Sequence, residues 1–482
     1  MVHFPMAGLV VFPLLGALVS LALSQRWRTL MSFALILALL LNNALLLLQF
    51  YSQGMFNEAM GNWPAPLGIE LRIDGLALIF SLMSAIVASI CALYAYVYLR
   101  PAQLKLFWPF FWFLWVALNS IWLSSDLFNL YVGLELLSLA AVGLVALSRD
   151  VLSLAAALRY LFAALLGSIG YLLGVALLYA TYGTLSLVEL SQHFSLTLSS
   201  SVALGFMFIG LLMKTAVFPM HSWLPPAHGG ALTPVSALLS ALVIKASFYI
   251  VLRLWTELSL DSAPTSAGLL MGILGSAAIL WGGWMALHQT HLKLVVAYST
   301  LAQIGYFMLI FPLLSDTNPH ASHLAFQGGI LMLLAHALAK AGMFLAAGNL
   351  LFCTGQKDLH SLAGLSRYRP LNIFAFGLAG VSIMGLPPSG GFNGKWLIIQ
   401  SAMLQSQWQW VLVILLGSLL SAAYIFRVFS YTYQEVEGGD RFKQPSPLLE
   451  WSALSLSVLS ILLGFASMLV LDLLPPHSVV TQ

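Results

Sequence analysis

Four lysines, Lys214, Lys245, Lys340 and Lys395, stand inside otherwise apolar stretches of this sequence, together with Glu135 and His336. An ammonium group in hydrocarbon costs roughly 2.5–3.5 kcal/mol on the insertion scale, so a chain that keeps four of them has a use for them. Amines, a carboxylate and an imidazole share one chemistry, the binding and release of a proton. Threaded through apolar helices, such groups make a route for protons or cations across a membrane.

Each residue has its own reading. Glu135, in DLFNLYVGLELLSLAAVGLV, needs a neighbouring cation to stay ionised, and Lys214 of LLMKTAVFPMHSWLPPAHGG is its expected partner. The pair reads as a switch that changes the field on other lysines, or as a static link between two helices. Desolvation makes buried links poor stabilisers, which favours the switch. Lys245, in VSALLSALVIKASFYIVLR, has no acid in its own helix. Burial disfavours its charged form, which suits it to carrying a proton reversibly. His336 and Lys340, in LLAHALAKAGMFLAAG, are one helical turn apart and share a face. His336 taken alone reads equally well as a satisfied core histidine. Lys395 follows a Gly-rich break, where freed backbone groups can approach it, and extends the file. His228 is a candidate for proton uptake from the cytoplasm, or a loop cap, and hydroxyls along Ala297–Gln303 could hold water.

No other chemistry is indicated. His221, His228, His288 and His291 have no metal-site spacing with an acid or a cysteine, so no metal is expected. The sequence carries no phosphate cradle, nucleophile elbow or haem pattern, and its two cysteines, Cys91 and Cys353, are too few for a four-cysteine cluster. No cofactor and no catalytic residue is therefore expected in this chain. The energy for transport must come from partner subunits or an ion gradient.

The elements that hold these groups follow from composition. Hydrophobic residues make up 60% of the sequence and charged residues 7%, with mean hydropathy +0.94, which excludes a soluble globular protein. Apolar runs long enough to span a bilayer cover 4–23, 30–50, 76–99, 105–123, 126–147, 153–180, 202–219, 231–255, 264–286, 291–312, 322–352, 371–404, 408–431 and 450–472. They predict an all-α polytopic membrane protein of about fourteen helices. The first run lacks a basic segment ahead of it and leads into a second span, so it reads as a span rather than a cleaved signal.

Two spans are interrupted. The seventh carries Pro219, Pro225 and Pro226 after Lys214; the twelfth carries Pro387, Pro388, Gly390 and Gly391 before Lys395. Proline removes a donor and clashes with the preceding turn, so each helix should break there. A matched pair of broken helices five spans apart is the signature of inverted repeats around a transport path. The expected organisation is a three-helix segment over 1–104, a first five-helix repeat (spans four to eight) over 105–255, a second (spans nine to thirteen) over 264–431, and a final helix and tail over 450–482. The stretch 181–201 reads as a short outer hairpin and 434–449 as a solvated loop.

Thirteen of the nineteen basic residues, Lys293 among them, fall in one class of alternate loops, and only Arg72 and Arg253 in the other. The positive-inside rule makes the first class cytoplasmic and puts both termini outside, in agreement with an even number of spans.

Three stretches then carry a resemblance: FNLYVGLELLSLA; LLMKTAVFPMHSWLPPAHGGALTPVSALLSALVIKASFYIVLR; and LKLVVAYSTLAQIGY with HALAKAGMFLAAG and GLPPSGGFNGKW. The chain resembles, over about 105–430, the antiporter-like subunits of respiratory complex I, the D-type subunit of Mrp cation/proton antiporters and the matching subunits of membrane-bound hydrogenases. The resemblance implies two inverted five-helix repeats and an axis of charged residues at mid-membrane. In it Glu135 and Lys214 match the coupling pair, Lys245 the central lysine of span eight, Lys340 the linking residue of span eleven and Lys395 the terminal residue of span twelve. It also implies function in a bacterial inner membrane with other membrane subunits as partners, carrying protons and, in an Mrp-type complex, Na+, with no nucleic acid involved. The chain ends soon after span fourteen, which points to the smaller complex I subunits or the Mrp D-type subunit. The competing readings are a non-transporting scaffold subunit and a self-contained solute carrier.

Overall fold

Helices form where the apolar runs place them, and the polar residues between them act as caps. The computed structural model describes residues 5–59, 63, 68–259, 265–315, 318–435 and 442–474. The order begins with α1 (Pro5–Ala22), α2 (Gln25–Gln53) and an antiparallel pair, β1 (Phe56–Ala59) and β2 (Glu70–Ile73), in which Phe56 faces Ile73. Next come α3 (Gly75–Tyr98), α4 (Pro101–Leu123), α5 (Leu127–Val145), α6 (Val151–Tyr182), α7 (Leu187–His193), α8 (Leu198–Thr215) and α9 (Leu224–Gly230). A π-helical turn, Leu239–Val243, joins α10 (Thr233–Leu238) to α11 (Ile244–Leu254). There follow α12 (Thr265–His288), α13 (Leu292–Met308), α14 (Ile310–Leu314), α15 (Pro319–Thr354) and α16 (Leu365–Tyr368). The last are α17 (Pro370–Met384), α18 (Gly390–Leu404), α19 (Trp408–Thr432), α20 (Pro447–Phe465) and α21 (Ser467–Leu471).

Among the described residues twelve helices are long and apolar enough to cross a membrane; Met6–Ala22 and Pro370–Met384 are apolar but shorter. With those two, the chain reaches the expected count of about fourteen. The caps explain the boundaries. Asp126 accepts from Asn129 N–H at 2.7 Å to start α5, and Asp150 accepts from Ser153 N–H at 2.8 Å to start α6. Gly355, at φ +70°, ends the 36-residue α15.

Both predicted breaks are present. Span seven divides into α8 and α9, and span twelve into α17 and α18. One expectation is corrected: the stretch 181–201 forms no hairpin but contains α7. Its Ser186 accepts from Glu189 N–H at 3.4 Å, the S-x-x-E start signal of a helix, and this local capping outweighs the β-branched residues around it. The strand pair lies instead at β1–β2. Within the predicted loop 434–449, residues 436–441, including Glu437, Asp440 and Arg441, lie outside the described residues, as do residues 475–482 of the tail.

The span formed by α10 and α11 is buried along its apolar length, as is α15, whereas α2, α6, α12 and α19 expose much of their surface. Lys245, His336 and Lys340 ride on the two central spans, so protein surrounds them. The other two lysines are set by close helix crossings. A Cβ on Gly167 of α6 would sit 2.7 Å from the Gly210 carbonyl oxygen of α8, one turn before Lys214. A Cβ on Gly328 of α15 would sit 2.8 Å from the Gly394 carbonyl oxygen of α18, next to Lys395. Only glycine permits either approach.

Candidate functional site

The first group lies where α5, α6 and α8 meet. α8 ends just past Lys214 because Ala216 turns to φ +60° and Val217 N–H reaches back to Leu212 O at 3.0 Å. A left-handed alanine costs about 1–2 kcal/mol, which the surrounding contacts must offset. Lys214 Nζ lies 3.5 Å from Glu135 Oε1 and donates to Ser138 Oγ at 2.8 Å. Glu135 also accepts from the Ser168 hydroxyl of α6. The Lys214 side chain is 5% exposed and that of Glu135 22%, so this pair is closed but near the edge of the protein interior.

The second group is central. Lys245 Nζ is 2.8 Å from His336 Nδ1, a contact between α11 and α15 across 91 residues of sequence. Lys245 also donates to the Ser240 carbonyl at 2.9 Å. That carbonyl belongs to the π-helical turn, and such turns are common at functional sites because they disturb the regular hydrogen-bond ladder. Ser240 Oγ in turn lies 3.0 Å from Thr300 Oγ1 of α13. A second hydroxyl pair, Thr215 to Ser247 at 2.9 Å, joins the end of α8 to α11. Lys340, one turn along α15 from His336, donates to Ser299 Oγ and, at 3.2 Å, to the Val296 carbonyl. Lys245 and Lys340 have no exposed surface.

Lys395 of α18 forms a third group. Its ammonium group donates to the carbonyls of Ile383 and Met384 at 3.1 and 3.0 Å, the free C-terminal carbonyls of α17 left by the break. It also donates to Ser418 Oγ of α19 at 3.0 Å and lies 4.3 Å from the centre of the Tyr306 ring. A helix C-terminus and an aromatic face both favour a cation. The broken helix thus builds the seat of the lysine that follows it.

His228 is fully buried, its ring stacked on Phe344 of α15 at 4.8 Å, four residues beyond Lys340. Neither ring nitrogen has a hydrogen-bond partner among the described residues. Lys293, expected in a loop, sits in the first turn of α13, its ammonium donating to the Ala231 carbonyl at 2.8 Å, three residues past His228. Among the described residues no group of three His, Cys, Asp or Glu side chains suits a metal ion.

Arg253, expected in an outer loop, is instead buried at the end of α11. It grips Asp74, the N-cap of α3, with two bonds of 2.6 Å and reaches Glu257 at 3.0 Å. Arg72 of β2 pairs with the same two acids. Burial by itself would push the Asp74 carboxyl up, but the Arg253 and Arg72 guanidiniums hold it well below the usual carboxylate range. Sequence reasoning misses this cluster, as well as the serine and threonine hydroxyls beside each lysine. The only signal for the hydroxyls is the run Ala297–Gln303.

The fold and this geometry define a polytopic membrane protein with four lysines and a histidine buried among its helices. Residues 124–421 match the family described as NADH:quinone oxidoreductase/Mrp antiporter, TM, and the chain belongs to that family. It is an antiporter-like membrane subunit. It is 34% identical to the N subunit of the NADH-quinone oxidoreductase of Desulforudis audaxviator, over 92% of this chain and 90% of that one. It is 28% identical to the D-type subunit of the Na(+)/H(+) antiporter of Alkalihalophilus pseudofirmus, over 96% of this chain and 94% of the relative. A chain of the membrane-bound sulfane sulfur reductase, an archaeal respiratory membrane complex, superposes with a TM-score of 0.89 at 26% identity, over 97% of this chain and 96% of that one.

Proposed function

We propose that this chain translocates protons through the order Lys245, His336, Lys340, Lys395, with the Glu135–Lys214 pair as the switch. One observation carries the reading: the 2.8 Å contact between Lys245 and His336, which joins the two central spans into one file. Protons enter from the cytoplasmic side near His228 and leave on the outer side beyond Lys395. When Glu135 and Lys214 separate, the field at Lys245 changes and its proton moves on. Moving one charge against 100 mV takes about 2.3 kcal/mol, within the range by which a buried ion pair changes on opening. The spans carrying Lys214 and Lys245 and those carrying Lys340 and Lys395 act as two inverted repeats, α4–α11 and α12–α19.

The chain works with other membrane subunits. In an Mrp-type antiporter, as the likeness to the D-type antiporter chain over nearly its whole length supports, proton entry through this file drives Na+ export. A second reading, proton pumping in a quinone-reducing complex, is favoured by the higher identity to the quinone oxidoreductase relative. Reconstitution of the whole complex in vesicles separates them, since only the first acidifies or alkalinises the lumen in response to a Na+ pulse without a redox substrate. Wild-type proton movement by Lys245→Ala and Lys395→Ala in assembled complex would defeat both readings and leave a scaffold.

A further inference from the structure

We propose that a chain of side-chain hydroxyls between α13 and α19, formed by Ser299, Tyr424, Ser421, Tyr306 and Ser418, carries the proton from Lys340 to Lys395. This inference rests on the relay proposed above and supplies the step it leaves open. The two ammonium groups share no partner. Lys340 is held by Ser299 and a carbonyl of α13, whereas Lys395 is held by the end of α17 and Ser418 of α19. Ser299 of α13 and Ser418 of α19 are thus the hydroxyls at the two ends, and the space between α13 and α19 lies between them.

Both helices present hydroxyls to that space at helical spacing. Ser299, Gln303 and Tyr306 lie four and three residues apart on one face of α13; Ser418, Ser421 and Tyr424 lie three apart on one face of α19. Tyr424 donates to Ser421 Oγ at 3.1 Å, and Ser299 and Gln303 of α13 lie near its hydroxyl. The Tyr306 hydroxyl donates to the Ile414 carbonyl at 3.5 Å, on the face of α19 that also carries Ser418 and Ser421. It points at Gly417, where a Cβ would collide with it, so the glycine leaves the room it occupies. Ser418 receives Lys395 at 3.0 Å. Packing alone would be served by phenylalanine, because a buried phenol needs partners that a phenyl ring does not.

Every hydroxyl both donates and accepts, which is what a proton wire requires. The Lys340 ammonium gives a proton to the Ser299 oxygen as Ser299 passes its own to Tyr424, and so on to the Lys395 amine. Each oxygen forms one O–H bond and breaks one, and one proton moves in total. In the structure the Ser299 and Ser421 hydroxyls donate to Val296 O and Gly417 O at 2.8 and 2.9 Å. Rotation about the Cβ–Oγ bond redirects each hydrogen with its oxygen in place, and the same rotation resets the wire.

The test uses the whole complex in vesicles, with Tyr424→Phe, Tyr306→Phe and Ser299→Ala, and Lys395→Ala as reference. Initial proton flux is read in H2O and D2O, with assembly checked on native gels. Each wire variant should assemble and lose at least tenfold in flux, with a larger solvent isotope ratio than wild type. Wild-type flux in Tyr424→Phe and Tyr306→Phe, with Lys395→Ala inactive, would overturn the wire and leave the relay standing. Slower flux with an unchanged isotope ratio would also overturn it, because a packing defect slows transport without making proton transfer limiting. If the tyrosine variants fail to assemble, Ser299→Ala decides by the same two readings. Wild-type flux in Lys395→Ala would instead remove the relay itself.

Discussion

Replacing Glu135 by glutamine removes the countercharge of Lys214 while keeping the shape of the side chain and its contact with Ser168. At 3.5 Å and an effective dielectric constant of about 20, the attraction between the two charges is about 5 kcal/mol. Desolvation offsets part of it, and removing one partner from a buried pair costs about 3–5 kcal/mol. The Glu135 side chain is 22% exposed, which puts the loss at the lower end, about 3 kcal/mol. At about 1.4 kcal/mol per factor of ten, proton flux should fall roughly a hundredfold. Lys214 would keep only the Ser138 hydroxyl at 2.8 Å and the Leu134 carbonyl at 3.5 Å. The assay is the quench of a pH-sensitive dye in everted vesicles carrying the whole complex, with native gels for assembly. Ser168→Ala, which removes one hydrogen bond to the partly exposed carboxylate, should cost about 1.5 kcal/mol, the lower end for a charged acceptor, and lower the flux about tenfold. Glu135→Gln at wild-type flux, in fully assembled complex, would refute the switch and leave a structural pair.

Further predictions concern the scaffold around the site. Gly210→Leu should push α8 away from Gly167 and part Lys214 from Glu135, lowering flux about as far as Glu135→Gln does; full flux would show that the crossing does not set the pair. Asp74→Asn leaves Glu257 as the one acid paired with Arg253 and should lower the stability of the solubilised complex by about 2–4 kcal/mol at neutral pH, read by thermal melting. Because the folded Asp74 is held below its ordinary value, its contribution is complete above about pH 4 and fades as the pH falls further. The gap between wild type and Asp74→Asn should therefore be constant from neutral pH down to about pH 4 and narrow only below it. A gap that closes between pH 7 and 5 would contradict that assignment. Finally, a cysteine at Lys357, an exposed loop position, should react with a membrane-impermeant thiol reagent only from the cytoplasmic side, and one at Gln192 only from the outer side. The native Cys91 and Cys353 are buried and should stay silent. The reverse pattern would invert the predicted orientation.

The lysines were legible in the sequence because charge in hydrocarbon is costly wherever it stands, and that cost needs no knowledge of neighbours. The breaks after Lys214 and before Lys395 were legible for a similar reason, since proline acts on its own backbone. The helix that replaced the expected hairpin at 187–193 was also locally encoded, by Ser186 and Glu189, but its β-branched neighbours obscured the cap. What stayed hidden is made by pairing across long stretches of chain. Lys245 and His336 are 91 residues apart, Arg253 and Asp74 are 179 apart, and no periodicity in either segment announces the other. The hydroxyls are harder still. A serine in a membrane helix can return its hydrogen bond to its own backbone, as Ser299 and Ser421 do to Val296 and Gly417, so it carries no sign of need. Only when α13 and α19 are brought face to face do these self-satisfied groups offer the wire proposed above. The charged residues are therefore where a sequence reveals a relay, and the neutral ones are where its continuity is decided.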